Sequence, residues 1–274
     1  MSTIVATNIQ DRVSSISVPI VAVINQRTNY GLVPSNNSGD ATNDIDFTAG
    51  KCWDTTGTNY ITVAAMTKRA DATWAAGTNQ GMIDTGAFAA NSCYYFWAIL
   101  HTDGTTDILM SLADTWAGVT KPTGYTTGQL IHAIAAKAVS AAWSLVSVTE
   151  AEVILTESPG VHVSSALTTD VAATATLNQV PALSLGSFIT NAQCSTLVTT
   201  LAGFVGDISR SGTTFVASSY FYGATSAIRG ILGTASAMTN ASQQVAVGMT
   251  FTAGTQTLTL YATGYTFMRR FNGT

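Results

Sequence analysis

Charge is what this sequence has least of. Eleven basic and fifteen acidic side chains are spread over 274 residues, 9% of the chain, against roughly a quarter in an ordinary soluble domain. With a formal net charge of −4 and so few cations, no basic stripe exists to displace counterions from several phosphates, the main source of nucleic-acid affinity. Nucleic acid is therefore not an expected partner. Cysteine is scarce as well. Cys52, Cys93 and Cys194 are odd in number, far apart and form no C-x-x-C pair, so neither a disulfide framework nor a zinc site is expected, and free thiols suit a reducing compartment. Long apolar runs are missing too. Residues 171–206 and 230–268 carry no charge, but Ser, Thr, Asn, Gln or Gly interrupts both every few residues, so neither offers the roughly 20 apolar residues of a membrane span. The first residues hold no basic segment leading into an apolar run, and no secretory leader is expected.

What the chain does contain is small and β-prone. Hydrophobic residues make up 46% of it, and its polarity comes mainly from the hydroxyls of Thr and Ser. The excess of Thr, Val, Tyr and Gly over Leu, Glu and Lys is the composition of pleated sheets, on which branched and aromatic side chains pack well. A chain of this length buries roughly 70–75% of its unfolded surface without metals or disulfides.

Alternation locates several strands. Val245, Val247, Met249 and Phe251 share one face of an extended segment, and Leu258 and Leu260 resume the pattern after a short Gly-bearing link, so residues 244–262 are expected to form an antiparallel hairpin. A second hairpin is expected where the apolar run from Cys93 to Leu100 meets a turn at Asp103-Gly104 and returns as Ile108 to Leu112. Residues 65–77 are Ala-rich and end at Gly77, which predicts one short helix. Residues 129–143 have helical propensity beside strand-like neighbours and fit either state. The Asn/Asp/Ser/Gly cluster over 32–46 separates an N-terminal arm from the body, and Ser158-Pro159-Gly160 marks a second break. The expected architecture is all-β: antiparallel β-sandwich or jelly-roll domains over residues 32–158 and 159–274, with an extended docking arm over 1–31. Pro19, which has no N–H for a ladder, suits that arm to an edge.

Tyr94, Tyr95, Phe96 and Trp97 put aromatics on both faces of one strand, and Tyr220-Phe221-Tyr222 repeats the pattern. A sandwich strand needs only one buried face, so the second face is either a local core under a loop or a subunit interface. Tyr94, Tyr95, Phe96 and Trp97 are the candidate interface residues.

Candidates for chemistry are few. No nucleophile elbow, P-loop, zinc-protease helix or dinucleotide fingerprint occurs. His101, His132 and His162 lie about thirty residues apart with no carboxylate at ligand spacing. Asp44 with Asp46, and Glu150 with Glu152, lie at strand spacing on one face, whereas a glycosidase needs its two acids across a cleft; solvated strand faces are the better reading. The loop from Asn36 to Asp44 is rich in oxygen ligands but lacks the closing Glu of an EF-hand, and an ordinary turn cluster is expected there instead of calcium. No catalytic, metal or cofactor site is therefore expected.

Three segments carry a resemblance. Asp46, Gly50, Lys51, Trp53 and Asp54 are followed by Lys68, Arg69, Asp71, Trp74, Gly77 and Thr78, and then by Asp84, Thr85 and Gly86. With the aromatic strand that follows, the turn around Asp103, Pro122-Thr-Gly-Tyr125, and the closing Gly264-Tyr265 with Arg269-Arg270, this resembles a module of tail-fibre and virion structural proteins from tailed phages and prophages. The likeness covers about residues 40–130 and 245–272, the middle agreeing in composition only. Phe267-Met268 departs from the module's polar pair before Arg-Arg, and no fibre shaft is expected ahead of it. The resemblance implies a β-rich, non-enzymatic virion component and does not by itself say tail or head; the leading reading is a short tail appendage of receptor-binding type, assembled in the host cytoplasm and docked by its arm onto other virion proteins. It also implies a homotrimer meeting a host glycan or other receptor through its loops. Two alternatives remain, a capsid decoration or head-fibre protein and a carbohydrate-binding lectin-like domain.

Overall fold

The computed structural model describes residues 8–10, 17–19, 30–137, 140–143, 147–148, 152–154, 160–167, 173–178, 180–194, 201–208, 215–223, 232–251 and 256–266. Every regular element among them is a strand, so the all-β expectation holds. Of the arm expected over 1–31, β1 (Asn8–Gln10) and β2 (Ser17–Pro19) pair antiparallel, with Pro19 opposite Asn8 at the end of the ladder. Tyr30 bridges to Lys51. The rest of the arm lies outside the described residues.

The first group of strands runs β3 (Pro34–Asn36), β4 (Asp44–Phe47), β5 (Gly50–Trp53), β6 (Tyr60–Val63), β7 (Met66–Thr73), β8 (Gln80–Ile83), β9 (Cys93–His101), β10 (Thr106–Ser111) and β11 (Tyr125–Ala135). Seven of them form one strongly curled sheet in the order β11-β9-β10-β8-β7-β4-β3. The β5–β6 hairpin turns Cys52, Ile61 and Val63 into the core and lies against β9, β10 and β11. Purely antiparallel pairing, as expected from the hairpin signals, fails at β8, which runs parallel to both β7 and β10.

The helix expected over residues 65–77 is instead β7. Burial alternates there with a period of two: Lys68 and Ala70 point inward, and Arg69 and Asp71 outward. Alanine's helical propensity is worth a few tenths of a kcal/mol per residue, too little against ladders to β4 on one side and β8 on the other. Small side chains serve that packing, since β8 approaches so closely that a Cβ on Gly81 would sit 2.1 Å from the Thr73 carbonyl oxygen. The ambiguous stretch 129–143 continues strand β11 as far as Ala135. Its residues from Gly128 to Ala135 are buried on both faces, so the polar alternation that marks a half-exposed strand never appears.

β11 is the edge strand of this sheet, and four of its carbonyls accept hydrogen bonds from outside the β9 ladder. Trp116 Nε1 donates to Thr126 at 3.4 Å, the Thr55 N–H to Gly128 at 3.0 Å, Gln129 Nε2 to Leu130 at 3.1 Å and the Tyr265 hydroxyl to Ala133 at 3.1 Å. Those four carbonyls are thereby withdrawn from the row of acceptors that an edge strand offers to other chains.

The expected β9–β10 hairpin is present, in register from Thr106 opposite Leu100 to Ser111 opposite Tyr95. The second group of strands is β12 (Ser147–Val148), β13 (Glu152–Ile154), β14 (Gly160–Leu167), β15 (Ala173–Thr176), β16 (Leu185–Cys194), β17 (Leu201–Ile208), β18 (Phe215–Gly223), β19 (Leu232–Met238), β20 (Gln244–Phe251) and β21 (Gln256–Thr266). Here β14 pairs β21, β15 pairs β20, β16 pairs β19 and β17 pairs β18, all antiparallel. This is the pairing of one long hairpin folded back at β17–β18. Further ladders join β21 to β16 and β20 to β17, so alternate pairs fall into two sheets, β14-β21-β16-β19 and β15-β20-β17-β18. The hairpin expected over 244–262 is thereby corrected. Both strands form, but β20 and β21 belong to different sheets, because alternation specifies a strand and its faces and says nothing about its partner. β12 and β13 also join β21's sheet, so membership changes hands ahead of the Ser158 break.

Candidate functional site

The aromatic run on β9 is covered on both faces within one chain. Tyr94 and Phe96 meet Trp143 with ring centroids 6.0 and 5.6 Å away, Tyr94 also meets Phe88 at 5.4 Å, and Phe96 meets Phe47 at 5.2 Å. On the opposite face Trp97 packs 5.5 Å from Trp116 and donates through Nε1 to the Ala113 carbonyl at 3.2 Å. The Tyr95 hydroxyl accepts the Ala182 N–H at 3.2 Å, a contact with the second group of strands. All four side chains are at most 5% exposed. The subunit interface expected at Tyr94, Tyr95, Phe96 and Trp97 is therefore corrected: the second face is covered by Trp116 and by the chain's own C-terminal half.

Three of the residues that carry the resemblance, Lys68, Trp74 and Gly77, meet in a knot around the Lys68 ammonium. The ammonium, out of solvent, donates to the carbonyls of Ala75 at 2.8 Å and Gly77 at 3.1 Å and pairs with Asp107 at 3.1 Å. Burial pushes the Lys68 ammonium below the usual lysine range, and Asp107 beside it opposes that shift. Asp107 also accepts the N–H groups of Gly77 at 2.7 Å and Ile108 at 2.6 Å. Gly77 sits at φ +98°, where a side chain is strained. Trp74 covers the knot, donating to the Ile108 carbonyl at 3.1 Å and packing 5.0 Å from Tyr125. Arg69 and Asp71 pair on the exposed side of the strand, 2.9 Å apart.

The other polar candidates disperse. His101 lies 2.8 Å from Asp103 in the β9–β10 turn. Asp103 is held down to about 2 by the backbone N–H of Thr105, the Thr105 hydroxyl and His101. His132 is buried with Nδ1 2.9 Å from the Ala133 backbone nitrogen. The side chain of His162, Glu150 and the side chain of Glu152 lie outside the described residues. Asp46 accepts from the Thr67 hydroxyl at 2.6 Å and from Asn37 at 2.9 Å. In the 36–44 loop Asn37 and Asp40 accept backbone N–H groups from Gly39, Asp40, Thr42 and Asn43, as a turn cluster does. Burial, with Asp40 next, raises the Asp44 carboxyl above its ordinary range. Among the described residues no three His, Cys, Asp or Glu side chains gather as metal ligands.

A cleft of about 400 Å³ lies where the start of β9 and the end of β10 meet the loops around 178–182 and 241–243. Asn91, Ser92, Tyr95, Asp114, Asn178 and Gln243 supply its polar groups, and Leu112, 59% exposed, lies at its side. Gln243 fixes the far wall, donating through Nε2 to the carbonyls of Val180 at 2.7 Å and Asn178 at 3.4 Å. These residues come from four segments far apart in sequence, three of them loops and one leading into β9, so no spacing could have grouped them. No family model matches this chain, and no curated protein matches it.

Proposed function

We propose that this chain is a non-enzymatic structural protein of a phage virion, exposed on the particle as a short tail appendage of the receptor-binding type. The observation that carries the reading is the strand order of the C-terminal half. We read the antiparallel pairings that give β14-β21-β16-β19 and β15-β20-β17-β18 as a jelly-roll order, an architecture used by viral capsid and lectin domains. Fold analogy alone does not assign function. The phage resemblance adds to it, and its motif residues Lys68, Trp74 and Gly77 serve here to build a rigid loop, as befits a structural module.

The homotrimer rests on the resemblance and would use surfaces other than the β9 aromatics. Light scattering of the purified chain tests it, and a folded monomer at micromolar concentration refutes it. Location is tested by electron microscopy of particles labelled with antibody against this chain. Label at the tail tip supports the appendage, label over capsid lattice positions replaces it with the decoration or head-fibre alternative, and unlabelled particles overturn a virion role.

A further inference from the structure

We propose that the corner formed by Leu183, Leu185 and Met238 is where copies of this chain pack against one another about a rotation axis. Six large hydrophobic side chains are exposed among the described residues, and three of them, at 37, 41 and 40%, belong to this corner. Leu185 opens β16 opposite Met238 of β19, so the two share the outer face of that sheet. Leu183 lies two residues ahead on the same exposed alternation, its N–H donating to the Asn240 carbonyl at 3.4 Å. Beneath them the backbone is fixed by buried hydroxyls. Ser184 donates to the Pro181 carbonyl at 2.6 Å, and Thr239 donates to the same carbonyl at 2.7 Å while accepting the Ser184 N–H at 3.1 Å. Leu183 is thereby held at φ 54°, a conformation that Gly, Asn or Asp adopts far more readily. A leucine there is both strained and wet in a lone chain, and such strain persists where function uses it. A surface already rigid loses little freedom on association.

Charge decides the occupant. About a rotation axis each residue meets its own copy, so a charge placed there faces a like charge. Strands β16, β19 and β21 carry no Asp, Glu, Lys or Arg, and neither do the connections 177–184 and 239–243. Ser187 and Ser236, paired on the same face, are exposed, small and uncharged. The first charged position along the Leu185 row is Glu152, opposite Thr266 on β13 and two strands away, about 10 Å. The other exposed large hydrophobics each have a charge at hand. Tyr30 bridges to Lys51, whose ammonium lies 5.6 Å over the Tyr60 ring, and Leu112 lines the cleft together with Asp114. A partner recognised through opposite charge finds nothing to complement at the corner, whereas a second copy needs nothing. A stable interface buries about 800 Å² per partner, so the three side chains are its apolar centre and the small polar residues around them its rim.

This contact deepens the homotrimer part of the proposed function and rests on that reading for the number of copies alone. The test is sedimentation of the purified full-length chain at micromolar concentration, the parent beside Leu185→Glu, Met238→Glu and, as a control away from the corner, Leu112→Glu. The parent should sediment as an oligomer, both corner variants as monomers with the parent's circular dichroism, and the control as the parent does. Leu185→Ser adds no charge and should raise the concentration of half-dissociation about tenfold or more, the loss expected when a leucine leaves an apolar contact; it replaces either glutamate variant that fails to fold. A folded monomeric parent would overturn the proposal and leave the corner to another virion protein. An oligomer that survives a folded corner variant, or a control that dissociates as the corner variants do, would overturn it too. A parent dimer that the corner variants split supports the corner and removes the threefold reading. Unlabelled particles in electron microscopy leave the sedimentation result standing.

Discussion

The Lys68 ammonium and the Asp107 carboxylate stand 3.1 Å apart with both side chains out of solvent, and each also ties down the backbone between them. Their pairing explains an irregular piece of topology. β7 and β8 are parallel neighbours joined through residues 74–79 alone, whereas a parallel connection ordinarily takes a dozen residues or more. The short connection closes because Lys68 fills its centre and satisfies carbonyls that a longer loop would turn to water.

Lys68→Ala should therefore be among the costliest single substitutions in the N-terminal half. It leaves Asp107 buried beside two unpaired carbonyls, and the expected loss is about 3–5 kcal/mol. Urea unfolding of the variant measures it. A loss under about 1 kcal/mol would mean that water enters the knot freely.

Truncating Trp143 tests the inner aromatic cluster. Its ring contacts Phe88, Tyr94 and Phe96, and Trp143→Ala should cost about 3–5 kcal/mol through lost burial and the cavity left behind. The mass of the folded variant in solution should match that of the parent. A change of oligomeric state would show that this face takes part in association after all.

Tyr95→Phe keeps the ring and removes one oxygen. The Ala182 N–H that donates to it at 3.2 Å is then left in a buried position, so a loss of about 1–3 kcal/mol is expected. The effect should concentrate at the junction of the two halves, seen as faster amide exchange at Ala182 than in the parent. Unchanged exchange there would contradict the contact.

Asp103 should remain ionised in acid well below an ordinary aspartate. Its carboxyl is held at about 2 by Thr105 and His101. Because the folded value lies below the unfolded one, its stabilising contribution is complete above the unfolded value and is lost as pH falls toward 2. Carboxyl-carbon NMR gives the midpoint directly, and a value near the model-peptide range would refute the assignment. Asp103→Asn should flatten the acid limb of the stability curve.

The thiols of Cys52 and Cys93 should be silent in the native protein. Both are buried, at 0% and 5% exposure, and burial pushes the Cys93 thiol far above its usual range. An aromatic disulfide reagent at mildly alkaline pH should react with them only on unfolding, and the denatured, non-reduced chain should then show all three cysteines as thiols. Rapid native labelling of either residue would contradict the burial.

The sequence by itself determined the class of structure. Thr, Val and aromatic alternation and the Asp103-Gly104 turn are local signals, and they lead directly to an all-β chain with a hairpin at β9–β10. It also singled out Tyr94 to Trp97 as a strand with two faces to cover. Which elements do the covering was decided only by tertiary packing: Trp116, Trp143 and the C-terminal half reach β9 from distant positions. The same limit applies to β7, where alanines favoured a helix until two flanking ladders outweighed their propensity, and to β20 and β21, whose alternation gave no hint that they belong to separate sheets. The cleft shows the limit most plainly. Asn91, Asp114, Asn178 and Gln243 are ordinary turn residues one by one, and they line a common cleft only because the two halves of the chain meet there.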